Sequence, residues 1–263
     1  RDCLICGVYQ KKGGIAVETY CKWALALVAP MLLAGCLLIP GKFESQLRLM
    51  NDGTYSFTYN GQMQLAEGDD KQMSSESAMM DGESSESQPE DDEQKNTAMR
   101  AIFGGAVPGD EEGLKKFAAQ LAKYDGWNKV EYVGDNLFEV EYAVSGNFDQ
   151  MFAFPTIPGA TMQFPFVQII RRSGGELEVL TPAMAGPGGL AGAMGPLPMG
   201  GSSEKSKMEP IDGVFTIVTD GDVLTNNTED GLTVSGSMKN MRWKVDGTSG
   251  PDGSPRAIIK LKR

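Results

Sequence analysis

Two runs of alternating apolar and polar residues, 43–50 and 54–65, constrain the fold of this chain more than any other feature. They are joined by Asn51-Asp52-Gly53, and an Asp-Gly pair supplies the positive φ that a tight hairpin turn needs. Alternation places the three aromatic residues of the second run on one face and its small polar residues on the other. The sequence therefore predicts a β-hairpin with one buried face.

Comparable patterns continue along the chain. They predict strands at residues 127–133, 137–145, 167–172, 176–181, 213–219, 232–235, 241–246 and 257–261. The turns Gly134-Asp135-Asn136 and Ser173-Gly174-Gly175 join two pairs of these runs into hairpins. The aromatic segment 148–166 either covers the core or lines a pocket, and core cover is the favoured interpretation.

A helix is predicted to begin after Asp110, whose carboxylate suits an N-cap. Its apolar stripe at helical spacing consists of Leu114, Phe117, Ala118, Leu121 and Ala122. Such a stripe is typical of a helix that covers a sheet. The expected fold is α+β, an antiparallel β-sheet of about eight or more strands with one main packing helix and two flexible inserts.

The first insert, 67–96, holds eleven acidic residues, two lysines and no aromatic residue, so it cannot bury enough surface to offset its ordering entropy and is expected to be disordered. It separates residues 36–66 from 97–263, which complete the same domain. The second insert is the Gly-, Pro- and Met-rich loop 181–209, whose residues 181–203 carry no charge. We interpret this loop as a surface that contacts a partner or lipid, or else as a plain linker. Its candidate contact residues are Met184, Leu190, Met194, Leu197 and Met199.

An apolar run of about eleven residues follows Lys22, which suits the hydrophobic segment of a secretory signal and is shorter than the roughly 20 residues of a spanning helix. The run ends at Leu33-Ala34-Gly35-Cys36. This tetrapeptide resembles the lipobox of bacterial lipoproteins. The resemblance implies a signal peptide over residues 1–35, cleavage between Gly35 and Cys36, and acylation of Cys36.

Residue 37 is Leu. In Gram-negative lipoproteins an Asp at that position signals retention in the inner membrane, so the resemblance implies an outer-membrane protein that faces the periplasm. The stretches "FPFVQIIRRSGGELEV" and "DGVFTIVTDGDVLTNNTEDG" also resemble those of proteobacterial envelope lipoproteins. Residues 1–20 are unusually long for the start of a signal, and Val17 is a candidate alternative start.

Composition excludes several kinds of site. The chain contains no histidine, and Cys3, Cys6 and Cys21 precede the predicted cleavage site, so zinc sites and Ser-His or Cys-His nucleophiles are not expected. A formal net charge of −11 disfavours nucleic acid as a partner. We expect no cofactor and no metal.

Three functions fit these observations. The first is a non-enzymatic envelope module that binds a protein partner or supports an assembly and is attached to the membrane by its acyl chains. The second is a carrier of a small apolar ligand or lipid. The third is a carboxylate-dependent hydrolase, which requires two converging buried acids in a cleft.

Overall fold

The strands and helix of this protein are seen in a computed structural model that describes residues 38–65, 105–148, 151–160, 165–185, 209–248 and 253–262. All of these ranges belong to one compact unit, Cys36–Arg263. Across them the chain forms twelve strands and one α-helix, so the fold is roughly α+β but mostly β.

The elements follow the chain in this order: β1 Leu38–Leu49, β2 Thr54–Leu65, α1 Glu111–Leu121, β3 Trp127–Gly134, β4 Leu137–Asn147, β5 Phe152–Phe154, β6 Val167–Arg171, β7 Glu176–Leu180, β8 Asp212–Thr219, β9 Asp222–Asn226, β10 Thr233–Ser235, β11 Met238–Val245 and β12 Arg256–Lys260. Short 3-10 turns occupy Ser173–Gly175 and Pro182–Ala185.

The strands form two sheets. One has seven strands in the order β10-β11-β8-β1-β2-β4-β3, and the other has five in the order β5-β6-β7-β12-β9. The expectation of a single antiparallel sheet was therefore wrong, and β1 also pairs with β8 in parallel. Alternation in the sequence reports which face of a strand is buried, but it does not report which strand lies beside it.

The hairpin predicted around Asn51-Asp52-Gly53 is confirmed. β1 pairs antiparallel with β2, Leu47 lies opposite Phe57, and Gly53 adopts a φ of 85° in the turn. A bulge interrupts β1 between Pro40 and Phe43, opposite Gly61. A Cβ at Gly61 would lie 2.2 Å from the carbonyl oxygen of Lys42, so only glycine fits beside the bulge.

The predicted helix is confirmed, with one correction to its apolar stripe. Asp110 accepts a hydrogen bond from the backbone N–H of Gly113 at 2.9 Å, which caps α1. The stripe is buried from Leu114 to Leu121, but Ala122 is exposed because the helix ends at Leu121. Phe117 packs against Phe138 of β4, with ring centroids 5.8 Å apart.

The aromatic side chains described within the segment 148–166 pack as core cover, as favoured from the sequence. Phe154 of β5 contacts Tyr59 of β2 and Tyr142 of β4, with ring centroids 5.3 and 4.6 Å apart. Phe154 thus brings the five-stranded sheet against the aromatic face of the seven-stranded sheet. Tyr59 is fully buried, and its hydroxyl donates to the carbonyl of Gln62 at 2.6 Å. Burial raises the pKa of this phenol well above its ordinary value of 10.0.

Candidate functional site

A cleft of about 580 Å³ opens where four segments meet. They are the β1–β2 turn, the end of β4, the β6–β7 turn and the residues after β12. Its polar lining consists of Asn51, Asp52, Asn147, Arg171 and Lys262, and its apolar lining of Phe148, Leu177 and Leu261. Both sheets therefore contribute to one site at the same end of the domain.

Asn51 joins two of these segments, the β1–β2 turn and the residues after β12, to the connection between β8 and β9. Its backbone N–H donates to Oδ1 of Asp220 at 2.7 Å, and its side-chain Nδ2 donates to the Asp220 carbonyl at 2.9 Å. Its Oδ1 accepts from the backbone N–H of Lys262 at 2.7 Å. Since both polar atoms of the Asn51 side chain are engaged, this residue shapes the cleft.

Arg171 supplies a fixed positive charge at the cleft. Its Nη2 donates to the carbonyl of Phe148 at 2.7 Å, and its Cζ lies 5.8 Å from the centroid of the Phe148 ring. These contacts orient the guanidinium without neutralising it. Across the described ranges no carboxylate forms an ion pair with Arg171.

The second cation, Lys262, belongs to a small network at the rim. Its Nζ lies 3.2 Å from Oδ1 of Asp222, which also lies 3.6 Å from Nζ of Lys239. The hydrogen bond from Lys262, followed by the charges of the two lysines, lowers the pKa of Asp222 below its ordinary value of 3.8. The carboxylate therefore stays ionised at neutral pH.

Among the described residues that line the cleft, Asp52 is the one carboxylate. It accepts hydrogen bonds from the Oγ1 and backbone N–H of Thr54 at 2.7 and 2.9 Å, which lower its pKa below the ordinary 3.8. A general acid needs the opposite shift, because its proton must be retained near neutral pH. Asp52 is therefore ionised at neutral pH.

Glu178 is the one buried acidic side chain in the part of the chain that the structure describes. It lies in β7 between the core residues Leu177 and Val179, so it points to the outer face of the five-stranded sheet. Nε of Arg256 donates to it at 2.9 Å, and Nε of Arg172 lies 3.5 Å away. It does not line the cleft, so the structure does not bring it together with Asp52.

The residues predicted from the sequence as site residues fall in two groups. Met184 is 1% exposed and belongs to the hydrophobic core, so its side chain is not presented to a partner. The others lie outside the described residues: Gly35, Cys36, Leu190, Met194, Leu197 and Met199. The contact prediction therefore depends on residues beyond Ala185.

Sequence reasoning missed the cleft. Asn51 was interpreted only as a turn residue and Arg171 only as part of a strand, and Lys262 carried no signal. Four segments far apart in the chain form the site. The one usable indication was the Asn-Asp-Gly turn, whose polar side chains had to lie at an end of the sheet.

No group of three His, Cys, Asp or Glu side chains suited to a metal occurs among the residues with described positions. The one helix seen in these ranges is too short and too polar to cross a bilayer.

Comparison with known proteins gives little further guidance. No family model matches the chain, and no curated protein is similar to it. Among solved structures, it is similar to the folded domain of the LppM protein of Mycobacterium tuberculosis, determined by NMR, with 12% sequence identity over 88% of this chain and 96% of that chain. The TM-score is 0.30, and at that value the likeness carries no inference about fold or function.

Proposed function

We propose that this protein is an envelope lipoprotein anchored through Cys36, and that its two-sheet domain is a non-enzymatic binding or assembly module. The observation that carries the proposal is the position of the lipobox. Leu33-Ala34-Gly35-Cys36 follows an apolar run and ends two residues before Leu38, the first residue of β1. Cleavage at Cys36 would thus leave the described domain intact.

The same stretch indicates the membrane in which the protein is anchored. Leu37 in place of Asp supports an outer-membrane position facing the periplasm in a Gram-negative host. Acyl chains on Cys36 supply the attachment, since several chains are needed for a stable anchor. A partner protein in the envelope would meet the loop residues beyond Ala185 or the cleft.

Binding is favoured over catalysis by the contents of the cleft. Its described lining presents the Arg171 guanidinium, the Lys262 ammonium and the Asn147 amide beside apolar side chains, with a single carboxylate whose pKa is lowered. A hydrolase would need a second, converging acid. Within the described residues a carrier would use this open cleft, because Phe57, Tyr59, Phe154 and Phe166 fill the space between the sheets there.

The anchor is tested by metabolic labelling with an alkyne fatty acid in the native host, followed by intact-mass analysis. Wild-type protein is expected to incorporate label and to lose residues 1–35. Cys36→Ser should abolish both labelling and processing. Membrane fractionation alone is insufficient, because the uncleaved apolar run of Cys36→Ser would retain the precursor in a membrane.

Cys21→Ser is the matched control, since it removes a cysteine from the same region outside the lipobox. It should be labelled and processed like wild type. Label that persists in Cys36→Ser, or mature protein that still carries peptides from upstream of Cys36, would refute the assignment.

A further inference from the structure

The short connection between Cys36 and the sheet limits how the domain can sit on a membrane. Only Leu37 separates Cys36 from Leu38, the first residue of β1. Two residue steps span at most about 7 Å, because an extended chain covers roughly 3.3–3.6 Å per residue. If Cys36 carries acyl chains, the start of β1 is held beside the lipid headgroups.

Several other elements end at the same level as the start of β1. Leu38 pairs with Leu65, the last residue of β2. The backbone N–H of Leu65 donates to the carbonyl of Asn136, in the β3–β4 turn, at 2.9 Å. The side chain of Asn136 accepts from Gly109, just before α1. We call this the anchor end of the domain.

The cleft lies at the other end. β1 runs from Leu38 to Leu49 and leads into the β1–β2 turn that borders the cleft. Eleven residue steps at a strand rise of 3.2–3.4 Å correspond to roughly 36 Å. The β6–β7 turn of the five-stranded sheet borders the same cleft.

We infer that the anchor end faces the bilayer and that the cleft opens on the side of the domain remote from it. This inference rests on the proposed acylation of Cys36. Lipids of the anchoring bilayer would not reach the cleft, so whatever binds there would come from the aqueous phase and meet Arg171.

Electrostatic attraction does not produce this orientation. Asp110, Asp135 and Asp212 lie at or near the anchor end and outnumber Lys42, which lies opposite Asp212, so an anionic lipid surface would repel this end. The short link to the acylated Cys36 alone sets the distance between the domain and the membrane. Vesicles of phosphatidylcholine, whose headgroup has no net charge, are therefore the right surface for a test.

The mature protein is expected to have no free thiol, so an introduced cysteine can be labelled specifically. Cys3, Cys6 and Cys21 lie upstream of the cleavage site, and the thiol of Cys36 is consumed by acylation. Val133→Cys places a fluorophore near the anchor end, at a side chain that is 48% exposed. Ser173→Cys places it in the exposed β6–β7 turn, and each replacement is small.

The acylated protein, purified from its host membranes, is reconstituted in phosphatidylcholine vesicles that carry a nitroxide quencher on the headgroup. The label at residue 133 is expected to lose most of its fluorescence, whereas the label at residue 173 keeps its intensity. A water-soluble quencher should reach both labels and serves as the accessibility control.

Equal quenching at both sites, stronger quenching at residue 173 or no quenching at either site would overturn the orientation. Flotation with the vesicles and the mass of the acyl chains are measured on the same samples. Protein that lacks acyl chains would overturn the lipoprotein proposal itself, so the two failures are distinguishable.

Discussion

Asn51 and Asp220 are joined by two hydrogen bonds. The backbone N–H of Asn51 donates to the Asp220 carboxylate at 2.7 Å, and the Asn51 amide donates to the Asp220 carbonyl at 2.9 Å. Asp220 lies between β8 of the seven-stranded sheet and β9 of the five-stranded sheet. Through Lys262, Asn51 also reaches the segment after β12. One asparagine therefore ties the wall of the cleft to both sheets.

Replacing Asn51 with Ala should lower the free energy of unfolding by about 2–3 kcal/mol, since two side-chain hydrogen bonds are lost and their partners are left partly buried. Urea unfolding followed by tryptophan fluorescence measures the change. Asn147→Ala is the control, because Asn147 also lines the cleft, is exposed and makes no described side-chain hydrogen bond. Equal stability of the two variants would contradict the structural role of Asn51.

Gly213 lies under the ring of Phe43. A Cβ at Gly213 would be 2.4 Å from Cδ1 and Cε1 of that ring, which itself stacks on Tyr59 at 5.4 Å. We expect Gly213→Ala to destabilise the domain by about 1–3 kcal/mol, as overpacking of a close-packed core usually does. Thermal unfolding measures the loss.

Gly146→Ala is the matched control for that substitution. Gly146 also lies in a strand, and a Cβ there would meet only Cε1 of Tyr55, at an ordinary 3.6 Å. Its stability should stay within about 0.5 kcal/mol of wild type, as is usual for an exposed surface site. If Gly213→Ala were equally harmless, Phe43 would not pack as described.

The ion pair of Glu178 with Arg256 should be measurable as a coupling energy. Glu178→Gln leaves the two arginines without their carboxylate, and we expect a loss of about 1–3 kcal/mol in the free energy of unfolding. A double-mutant cycle with Arg256→Gln isolates the pair from other effects of each change. Additive losses in the cycle would show that the two side chains act independently.

The lowered pKa of Asp222 predicts that Asp222→Asn and wild type differ in free energy of unfolding by an amount that depends on pH. Its pKa is lowered in the folded protein, chiefly by Lys262, so its contribution is present above the unfolded pKa and is lost as the pH falls through the folded value. Asp222→Asn should therefore be less stable than wild type at neutral pH. The free energies of unfolding of the two proteins should converge as the pH falls below 3.8, the ordinary pKa of an aspartate. Urea titrations across this range provide the measurement.

Asp212→Asn is the control for charge, since Asp212 is exposed and forms no ion pair across the described ranges. High salt should narrow the difference between Asp222→Asn and wild type, because exposed ion pairs are screened. A gap that widened in acid would contradict the sign of the predicted effect.

The hairpins and the helix could be predicted because local chemistry determines them. The Asp52-Gly53 pair permits the turn conformation, and Asp110 caps the helix through a hydrogen bond three residues away. β9 was missed because Asp222–Asn226 has no alternating pattern, and β5 because three residues are too few to show one. The two sheets pack together through contacts such as those of Phe154 with Tyr59 and Tyr142, which are long-range and which no local pattern contains.

The loop beyond Ala185 yields the last prediction. Deleting residues 186–200 removes Leu190, Met194, Leu197 and Met199 but leaves the buried Met184 in place. If these side chains contact an envelope partner, cross-linked partner recovered from intact cells should be lost, while acylation and the free energy of unfolding stay unchanged. Deletion of residues 73–87 in the acidic insert removes the same length of chain and should leave recovery intact. If deletion of residues 186–200 does not reduce the amount of partner recovered, the partner binds elsewhere. A substitution of Arg171 in the cleft would then be the variant to test.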